Sequence, residues 1–260
     1  LRAAATPVAA AQQVGGQREP PAREVGHRRL ADQLGEKLIA VVIGHELHRK
    51  AEDLVKYGAD RVVYFDGPDL AWFRDDSYAQ VVADFINTEK PSIFLAGATA
   101  VGRSFVPKVA ARVYGGLTAD CTRLEVDTEK RLLLGTRPAF GGNLMATIIC
   151  PHHRPQMATV RHKVMKPAQF QENRTGEVVV HRIEAGSIPE RTTIVDVVKE
   201  IESTINITEA DIIVSGGRGM GKPENFELLR GLAQALGGAE SASRAAVDAG
   251  WIPYSHQVGQ

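Results

Sequence analysis

Short apolar runs alternate with longer stretches of helical period through the first half of the chain. Gly35 and Gly58 stand just after the first two helical stretches, where glycine commonly ends a helix. Strands that alternate with helices of about 10–15 residues are typical of crossover units in a parallel sheet covered on both faces. The pattern therefore predicts an α/β fold, with helices over 24–34, 46–57, 77–87 and 102–113 and strands over 37–43, 61–65 and 92–95.

The pattern changes after the fourth predicted helix. Strand-like segments with short connections follow at 117–126, 131–136, 144–150, 157–161 and 178–183. These segments predict a mixed or antiparallel β extension on a Rossmann-like first sheet. We place the domain boundary near Ile205, which predicts an N-terminal α/β domain over 30–205 and a second, truncated domain over 206–260.

The most distinctive stretch is 211–226, which begins the second predicted domain. Residues 212–214 read as a buried strand, and Pro223 suits the first turn of a helix with one apolar face. Glycines at 216, 217, 219 and 221 separate the two elements and let a ligand approach the backbone. A helix start attracts anions. Arg218 adds a permanent cation, so the stretch predicts an anion site.

Close packing of the backbone explains such a glycine-rich turn equally well, and both interpretations stay open at this point. Two nucleotide motifs are disfavoured. Lys222 is followed by Pro223 rather than Ser or Thr, which is not a P-loop, and the glycine spacing misses the dinucleotide fingerprint.

Composition narrows the function further. The chain has 31 basic and 31 acidic residues, so the excess of positive charge typical of nucleic-acid binding proteins is missing. No apolar run is long enough to predict a membrane span. Cys121 and Cys150, the only cysteines, predict two buried thiols in a reducing cytosol. Asp120 and Asp248 are interpreted as turn and capping groups, so we predict no catalytic residue. No histidine has the spacing of a metal ligand, so we predict no metal site.

The two ends of the chain are unusual. Residues 1–29 are rich in Ala, Gln, Pro and Arg without a helical or strand period, and we predict an irregular, non-native or disordered start there. Arginine enrichment also suggests a transit peptide. The second domain, of about 55 residues, is too small to cover both faces of its own sheet, which predicts that a partner completes it or that the chain is a fragment.

Several long motifs in fixed order resemble a known family, the α subunit of electron-transfer flavoprotein. The resemblance runs from about 30 to 260 and rests on residues 97–103 (GATAVGR), 116–121 (GLTADC), 136–143 (TRPAFGGN), 154–161 (RPQMATVR), 214–219 (VSGGRG), 243–250 (SRAAVDAG) and 257–260 (QVGQ). The string IICPHHRP at 148–155 is similar to forms from anaerobic bacteria, some of which bifurcate electrons.

The resemblance implies an electron carrier rather than an enzyme. The α subunit would hold FAD in its C-terminal domain, which in this chain would be a truncated flavodoxin-like domain. It would pair with a β subunit, and it would accept electrons from acyl-CoA dehydrogenases of fatty acid β-oxidation or from other dehydrogenases. A bacterial cytoplasmic location is favoured over the mitochondrial matrix. The alternative is a non-redox nucleotide-binding or interaction module that kept the fold and lost the cofactor.

The resemblance also assigns the cofactor site. It places Arg218 near the redox ring system, Ser243 as a hydrogen-bond partner of FAD, and Arg244 against the isoalloxazine ring. The loop that passes the flavin would begin with Val258, Gly259 and Gln260. A fixed guanidinium beside the ring favours an electron-rich flavin and raises its potential. Lysine lacks the planar face that would stack on the ring.

Two departures from the family lead to an expectation about binding. The family continues beyond Gln260 with further segments that hold the flavin and its diphosphate, and its first strand is not recognisable within 1–29. We therefore expect this exact chain to bind FAD poorly or not at all, although the intact protein would bind it.

Other polar residues receive structural interpretations. The loop at 97–103 follows a strand and opens a helix, but a structural turn is favoured over a second nucleotide site. Arg137, Asn143 and Arg161 are interpreted as polar links within the mixed-sheet region or as contacts to the β subunit. His256 is the one histidine close in sequence to the flavin loop.

Overall fold

The computed structural model describes residues 8–13, 25–139, 144–165, 168–189, 191–196, 207 and 210–259. The chain divides into two units, Leu1–Thr193 and Ile194–Gln260, which are treated separately below. The domain boundary predicted near Ile205 lies outside the described residues.

The first unit contains ten strands and four helices in its described part. In chain order they are β1 (Val8–Gln13), α1 (Val25–Leu34), β2 (Leu38–Gly44), α2 (His48–Lys56), β3 (Arg61–Asp66), α3 (Asp75–Glu89), β4 (Ile93–Gly97), α4 (Ala100–Val113), β5 (Gly116–Cys121), β6 (Arg123–Asp127), β7 (Leu132–Ala139), β8 (Leu144–Ile148), β9 (Gln156–Val160) and β10 (Glu177–Arg182).

Seven of these strands form one sheet in the order β10-β3-β2-β1-β4-β9-β5. Every neighbouring pair is parallel. Side chains alternate between the two faces, as expected for strands: Ile39, Val41 and Ile43 pack with α3 and α4, whereas Ala40 and Val42 pack with α2. Both faces are therefore covered, and the predicted α/β fold is confirmed.

The predicted β extension is smaller than expected. Only β6, β7 and β8 form a separate antiparallel sheet of three strands. The segments predicted at 157–161 and 178–183 became β9 and β10, which join the main sheet in parallel, as does β5. Sequence pattern identified the strands but not their partners, because pairing depends on contacts between distant segments.

The irregular start predicted for 1–29 is wrong where the structure describes it. Val8–Gln13 forms β1 in the middle of the main sheet, where Val8 is registered with both Leu38 and Ile93. Helix α1 begins at Val25. The strand was missed because alanine and glutamine carry little strand signal, and hydrogen bonds to two neighbouring strands override weak propensity.

His27 on α1 predicts a pH dependence of stability. Its Nδ1 is buried without a hydrogen-bond partner among the described residues, although the residue is partly exposed as a whole. Burial lowers the pKa of His27 to about 4, from 6.5. Between these values the unfolded chain takes up a proton that the folded chain does not. The contribution is therefore present above pH 6.5 and is lost as pH falls, by up to about 3 kcal/mol near pH 4.

Denaturant titrations at a series of pH values, followed by Trp72 fluorescence, measure this loss. His27→Phe is expected to flatten the curve between pH 6.5 and 4, whereas the exposed control His152→Gln should keep the wild-type slope. The carboxylates with lowered pKa, Asp60, Asp66 and Asp75, are only partly buried. Their contributions to stability are lost as pH falls below 3.8, outside the pH range of the His27 effect. A His27→Phe protein that weakens as steeply as wild type would contradict the prediction.

The second unit contains a parallel sheet of three strands in the order β11-β12-β13. Its elements are β11 (Ile213–Gly216), 3-10 helices at Arg218–Met220 and Pro223–Asn225, α5 (Phe226–Ala235), β12 (Ala239–Ser243), α6 (Arg244–Asp248), a 3-10 helix at Tyr254–His256, and β13 (Gln257–Val258). Its core contains Phe226, Ala242, Ala246 and Ile252.

The strand predicted as buried at 212–214 is only half covered. Ile212 and Ile213 are each 42% exposed. A Cβ added to Gly216 would meet Leu229 and Phe226 of α5, so the side of β11 that Gly216 faces is the covered one. Ile213 faces the opposite side of β11, where the described residues leave 42% of it exposed. The apolar run correctly predicted a strand, but its burial depends on what packs on each face.

Among the described residues, no helix combines the length and the apolar character that crossing a membrane would need.

Candidate functional site

The three parallel strands of the second unit bring their carboxyl ends to one edge. Gly216 is registered with Ala242, and Ser243 with Val258. The loops that follow β11, β12 and β13 therefore start side by side, which is where ligands bind in open α/β sheets. The structure thus brings together five of the predicted site residues, namely Arg218, Ser243, Arg244, Val258 and Gly259, and Gln260 lies outside the described residues.

A direct contact joins the first two of these loops. A Cβ added to Gly217 would lie 3.1 Å from Ser243 Oγ, which is tighter than most Cβ contacts in proteins. Two residues before Gly217 and Ser243, the hydroxyls of Ser215 and Ser241 hydrogen-bond at 2.6 Å. Gly217 therefore packs closely against Ser243, whose hydroxyl lies beside the start of the Arg218 loop.

Other glycines of this edge face open space. A Cβ added to Gly219, Gly221 or Gly259 would meet nothing within 4 Å. Gly221 and Gly259 also have φ of 82° and 76°, a region that favours glycine. The two interpretations of the glycine-rich stretch therefore apply to different residues, since Gly216 and Gly217 serve packing whereas the later glycines leave room.

The anion site predicted at the helix start needs correction. Two 3-10 turns separate the glycines from α5, which begins only at Phe226. The N–H groups of Met220, Gly221 and Asn225 donate to carbonyls within the same stretch, at 2.9, 3.0 and 3.2 Å. Tight turns consume these donors because each closes on a carbonyl three residues back. The cations and loop ends remain as the attractive features of the edge, whereas the start of α5 lies apart from the glycines.

The two predicted cations differ in their surroundings. Arg244 Nε lies 3.3 Å from Asp248 Oδ2 across one turn of α6, and both side chains are well exposed, at 65% and 63%. Arg218 is exposed, and no ion pair joins it to a described residue. Asp248 therefore serves as the partner of Arg244, a structural role in keeping with the sequence interpretation. Arg218 offers an uncompensated positive charge.

The glycine loop of the first unit is a closed turn. Thr99 Oγ1 accepts the N–H of Gly102 at 3.1 Å, and the N–H of Ala98 donates to the carbonyl of Val160 at 2.7 Å. A Cβ on Gly102 would collide with the carbonyl oxygen of Gly97. These contacts occupy the donors and the space that a phosphate would need. They support the structural interpretation of residues 97–103.

Of the residues interpreted as polar links, Arg161 forms one, and it shares its partner with Arg103. Arg103 and Arg161 both bind the carboxylate of Asp120, at 2.7 and 3.2 Å. Burial raises the pKa of the neighbouring Cys121 thiol to about 11, so this cysteine stays protonated. Arg137 lies half-buried on β7, and Asn143 lies outside the described residues.

Sequence reasoning missed one polar cluster. His45 Nδ1 and His48 Nε2 lie 3.2 and 3.3 Å from the two oxygens of Asp66. Although burial opposes it, hydrogen bonds from Tyr64 and the Glu46 N–H hold the pKa of Asp66 below its usual value. No spacing could reveal this cluster, because β2 and β3 bring its members together. Within the described ranges, no group of three or more His, Cys, Asp or Glu residues could hold a metal ion.

Comparison with known proteins shows the family of the chain. The family model for the electron transfer flavoprotein domain matches residues 27–185, and that for the electron transfer flavoprotein FAD-binding domain matches residues 206–260.

Individual proteins match over most of the chain. The electron transfer flavoprotein subunit alpha of Thermoanaerobacterium thermosaccharolyticum is 49% identical over 90% of this chain and 70% of its own length. That of Megasphaera elsdenii is 46% identical over the same shares. The lactate dehydrogenase (NAD(+),ferredoxin) subunit LctC of Acetobacterium woodii is 40% identical over 89% of this chain and 55% of its own length.

Proposed function

Because the chain belongs to the electron transfer flavoprotein family, as a member of the α-subunit type with an FAD-binding domain, we propose that the carboxyl edge of its three-stranded sheet is the FAD site. The convergence of the three loops at that edge is the observation that carries the proposal. Bound FAD accepts and releases electrons singly or in pairs. The protein would therefore act as an electron carrier without an acid, base or nucleophile of its own.

The residues of this edge fit the cofactor. Gly219 and Gly259 leave the space beside their Cα atoms open, as close approach of a ligand requires. Ser243 offers a hydroxyl held against Gly217, and Arg218 a charge without a described ion-pair partner. The guanidiniums of Arg218 and Arg244 would stabilise negative charge on the cofactor. Ser243 would donate a hydrogen bond, and Val258, Gly259 and Gln260 would line the edge.

We propose a β subunit as the partner of the first unit. Four apolar residues at β8 are exposed, namely Leu144 at 59%, Met145 at 57%, Ile148 at 40% and Ile149 at 50%. β8 is also an edge strand of its sheet, with one side of its backbone unpaired by that sheet. Exposed apolar residues on a strand edge are a common site of association between subunits. This feature supports a heterodimer.

The electron donors are proposed from the names of relatives. A protein of Anaerotignum propionicum, 42% identical over 90% of this chain, is named acryloyl-CoA reductase electron transfer subunit beta. The A. woodii relative is named a subunit of a lactate dehydrogenase that uses NAD(+) and ferredoxin. We propose acyl-CoA or other dehydrogenases as donors, electron bifurcation as the finer hypothesis, and the bacterial cytoplasm as the location.

Co-expression of the full-length gene with a β subunit of the family tests the FAD proposal. The purified heterodimer should be yellow, with about one FAD per α subunit. Replacing Arg218 and Arg244 together by Glu should abolish this binding, because two negative side chains would then face the negatively charged cofactor. Circular dichroism and subunit stoichiometry show whether the variant remains folded and assembled. A folded wild-type heterodimer whose α subunit takes up no flavin, even with FAD added in excess, would overturn the proposal.

A further inference from the structure

We infer that His256 is a positioning residue for the loop that follows β13, and that it acts through its imidazole Nδ1–H. The inference rests on the proposed function, because the position of this loop matters for redox chemistry only if the edge holds FAD. His256 precedes β13 directly and is half-buried. Its role follows from the shortness of β13, which has only two residues to pair with β12.

β13 pairs with β12 over only two residues, with Gln257 opposite Ala242 and Val258 opposite Ser243. In a parallel ladder, successive residues of a central strand direct their backbone groups alternately to one neighbour and to the other. Ala239 N–H donates to β11, at the carbonyl of residue 212, over 2.9 Å. The next residue of β12 therefore directs its backbone groups to the side of β13.

That next residue is Glu240, and β13 does not reach it. If the register continued backwards, Glu240 would lie opposite Ser255, and its carbonyl would accept the backbone N–H of His256. This N–H instead donates to the carbonyl of Pro253, 3.0 Å away, in the 3-10 turn before β13. The ladder therefore ends before the carbonyl of Glu240.

The side chain of the same histidine supplies the missing donor. His256 Nδ1 lies 3.0 Å from the carbonyl oxygen of Glu240. Because a carbonyl only accepts, Nδ1 carries the proton, which holds for both the neutral Nδ1–H tautomer and the imidazolium. The imidazole thus adds one hydrogen bond to β12 at the point where the backbone no longer pairs with it. Below, this hydrogen bond from His256 to Glu240 is called the rung.

Two features show that this rung bears on the proposed cofactor loop. Glu240 is 7% exposed, so a carbonyl left without its donor would be poorly hydrated, and the start of β13 would shift to relieve it. Gly259, three residues beyond His256, has φ of 76° and nothing within 4 Å of an added Cβ. Gln257 Nε2 donates to the carbonyl of Gly259 at 3.3 Å, but both residues belong to the same segment. The contact from His256 to Glu240 therefore links this segment to β12 beyond the two paired residues, which helps to determine where the loop starts.

Three substitutions in the FAD-loaded heterodimer separate the donor from the ring. His256→Asn places an amide nitrogen the same number of bonds from Cα as Nδ1, so it keeps the donor. His256→Gln places its nitrogen one bond farther, and His256→Phe keeps a planar ring without a donor. We expect Phe and Gln to raise the FAD dissociation constant about tenfold, and Asn to stay within about threefold of wild type.

Hydrogen exchange in the heterodimer stripped of FAD provides a second measurement. The amides of 257–259 should exchange faster in the Phe and Gln variants than in wild type and Asn, whether or not flavin binds. Wild-type affinity together with wild-type exchange in His256→Phe would overturn the positioning role. A His256→Asn protein as impaired as His256→Phe would also overturn it, since the ring itself would then be required. Absence of FAD from wild type would count against the proposed function instead, and exchange would still report on His256.

Discussion

Replacing Arg244 with Gln in the FAD-loaded heterodimer is expected to lower the one-electron reduction potential of the flavin by about 100 mV. A unit charge several ångströms away contributes about 2 kcal/mol at an effective dielectric constant of about 20. Since 1.4 kcal/mol corresponds to about 59 mV for one electron, the loss of that charge is about 100 mV. Redox titration followed by the flavin absorption spectrum measures the shift. Gln keeps hydrogen-bonding capacity, so the change reports mainly on charge.

Asp248 provides a matched control of opposite sign. Its carboxylate lies 3.3 Å from Arg244 Nε and partly offsets the guanidinium charge. Removing that negative charge with Asp248→Asn should make the flavin easier to reduce, so the potential should rise. The rise should be smaller than the fall caused by Arg244→Gln, because the proposal places Arg244, and not Asp248, against the ring. A potential unchanged by Arg244→Gln, or lowered by Asp248→Asn, would remove Arg244 from the proposed site.

Replacing Arg131 with Ala is expected to destabilise the first unit by about 3 kcal/mol. The side chain of Glu36 is completely buried and forms an ion pair with Arg131, which is 49% exposed. Ser92 Oγ donates to the other oxygen of Glu36, at 2.7 Å. Without Arg131 the buried carboxylate keeps only neutral partners. Urea denaturation followed by Trp72 fluorescence, in a Trp251→Phe background, measures the free energy of unfolding of this unit.

The double variant Glu36→Gln/Arg131→Ala tests the cause. A neutral carboxamide needs no counter-charge and still accepts the Ser92 hydrogen bond, so the double variant should recover at least about half of the lost stability. Glu36→Gln alone should cost less than Arg131→Ala, because the half-exposed guanidinium can be hydrated. If the double variant is no more stable than Arg131→Ala, an uncompensated buried charge is not the reason for the loss.

Local patterns in the sequence were sufficient for the class of fold. The helices predicted at 77–87 and 102–113 appear as Asp75–Glu89 and Ala100–Val113, and the strand at 61–65 as Arg61–Asp66. Amphipathic period and glycine stops act over a few residues, so they can be read from one segment at a time. The family resemblance rests on motifs of the same local kind, and the comparisons confirm it.

The residues proposed for the site were chosen from separate motifs of the sequence, which did not predict how they are arranged. Arg218, Ser243 and Val258 come from separate segments, and only the parallel order β11-β12-β13 places them at one edge. β12 itself was missed, since its run of Ala, Glu and Ser carries little strand signal. The contact of Gly217 with Ser243, and the rung from His256 to Glu240, follow from that order and leave no mark in either local sequence.

The sequence by itself determined most element types, the α/β class, the family and the chemistry offered by individual side chains, but not the strands β1 and β12. Only the tertiary structure decided that Val8–Gln13 is the middle strand, that Glu36 meets Arg131 95 positions away, and which glycines pack and which leave space. The physical reason is the distance along the chain over which each kind of interaction acts. Propensity and period are energies of neighbouring residues, whereas strand partners, buried ion pairs and close backbone approaches are energies of the folded chain as a whole.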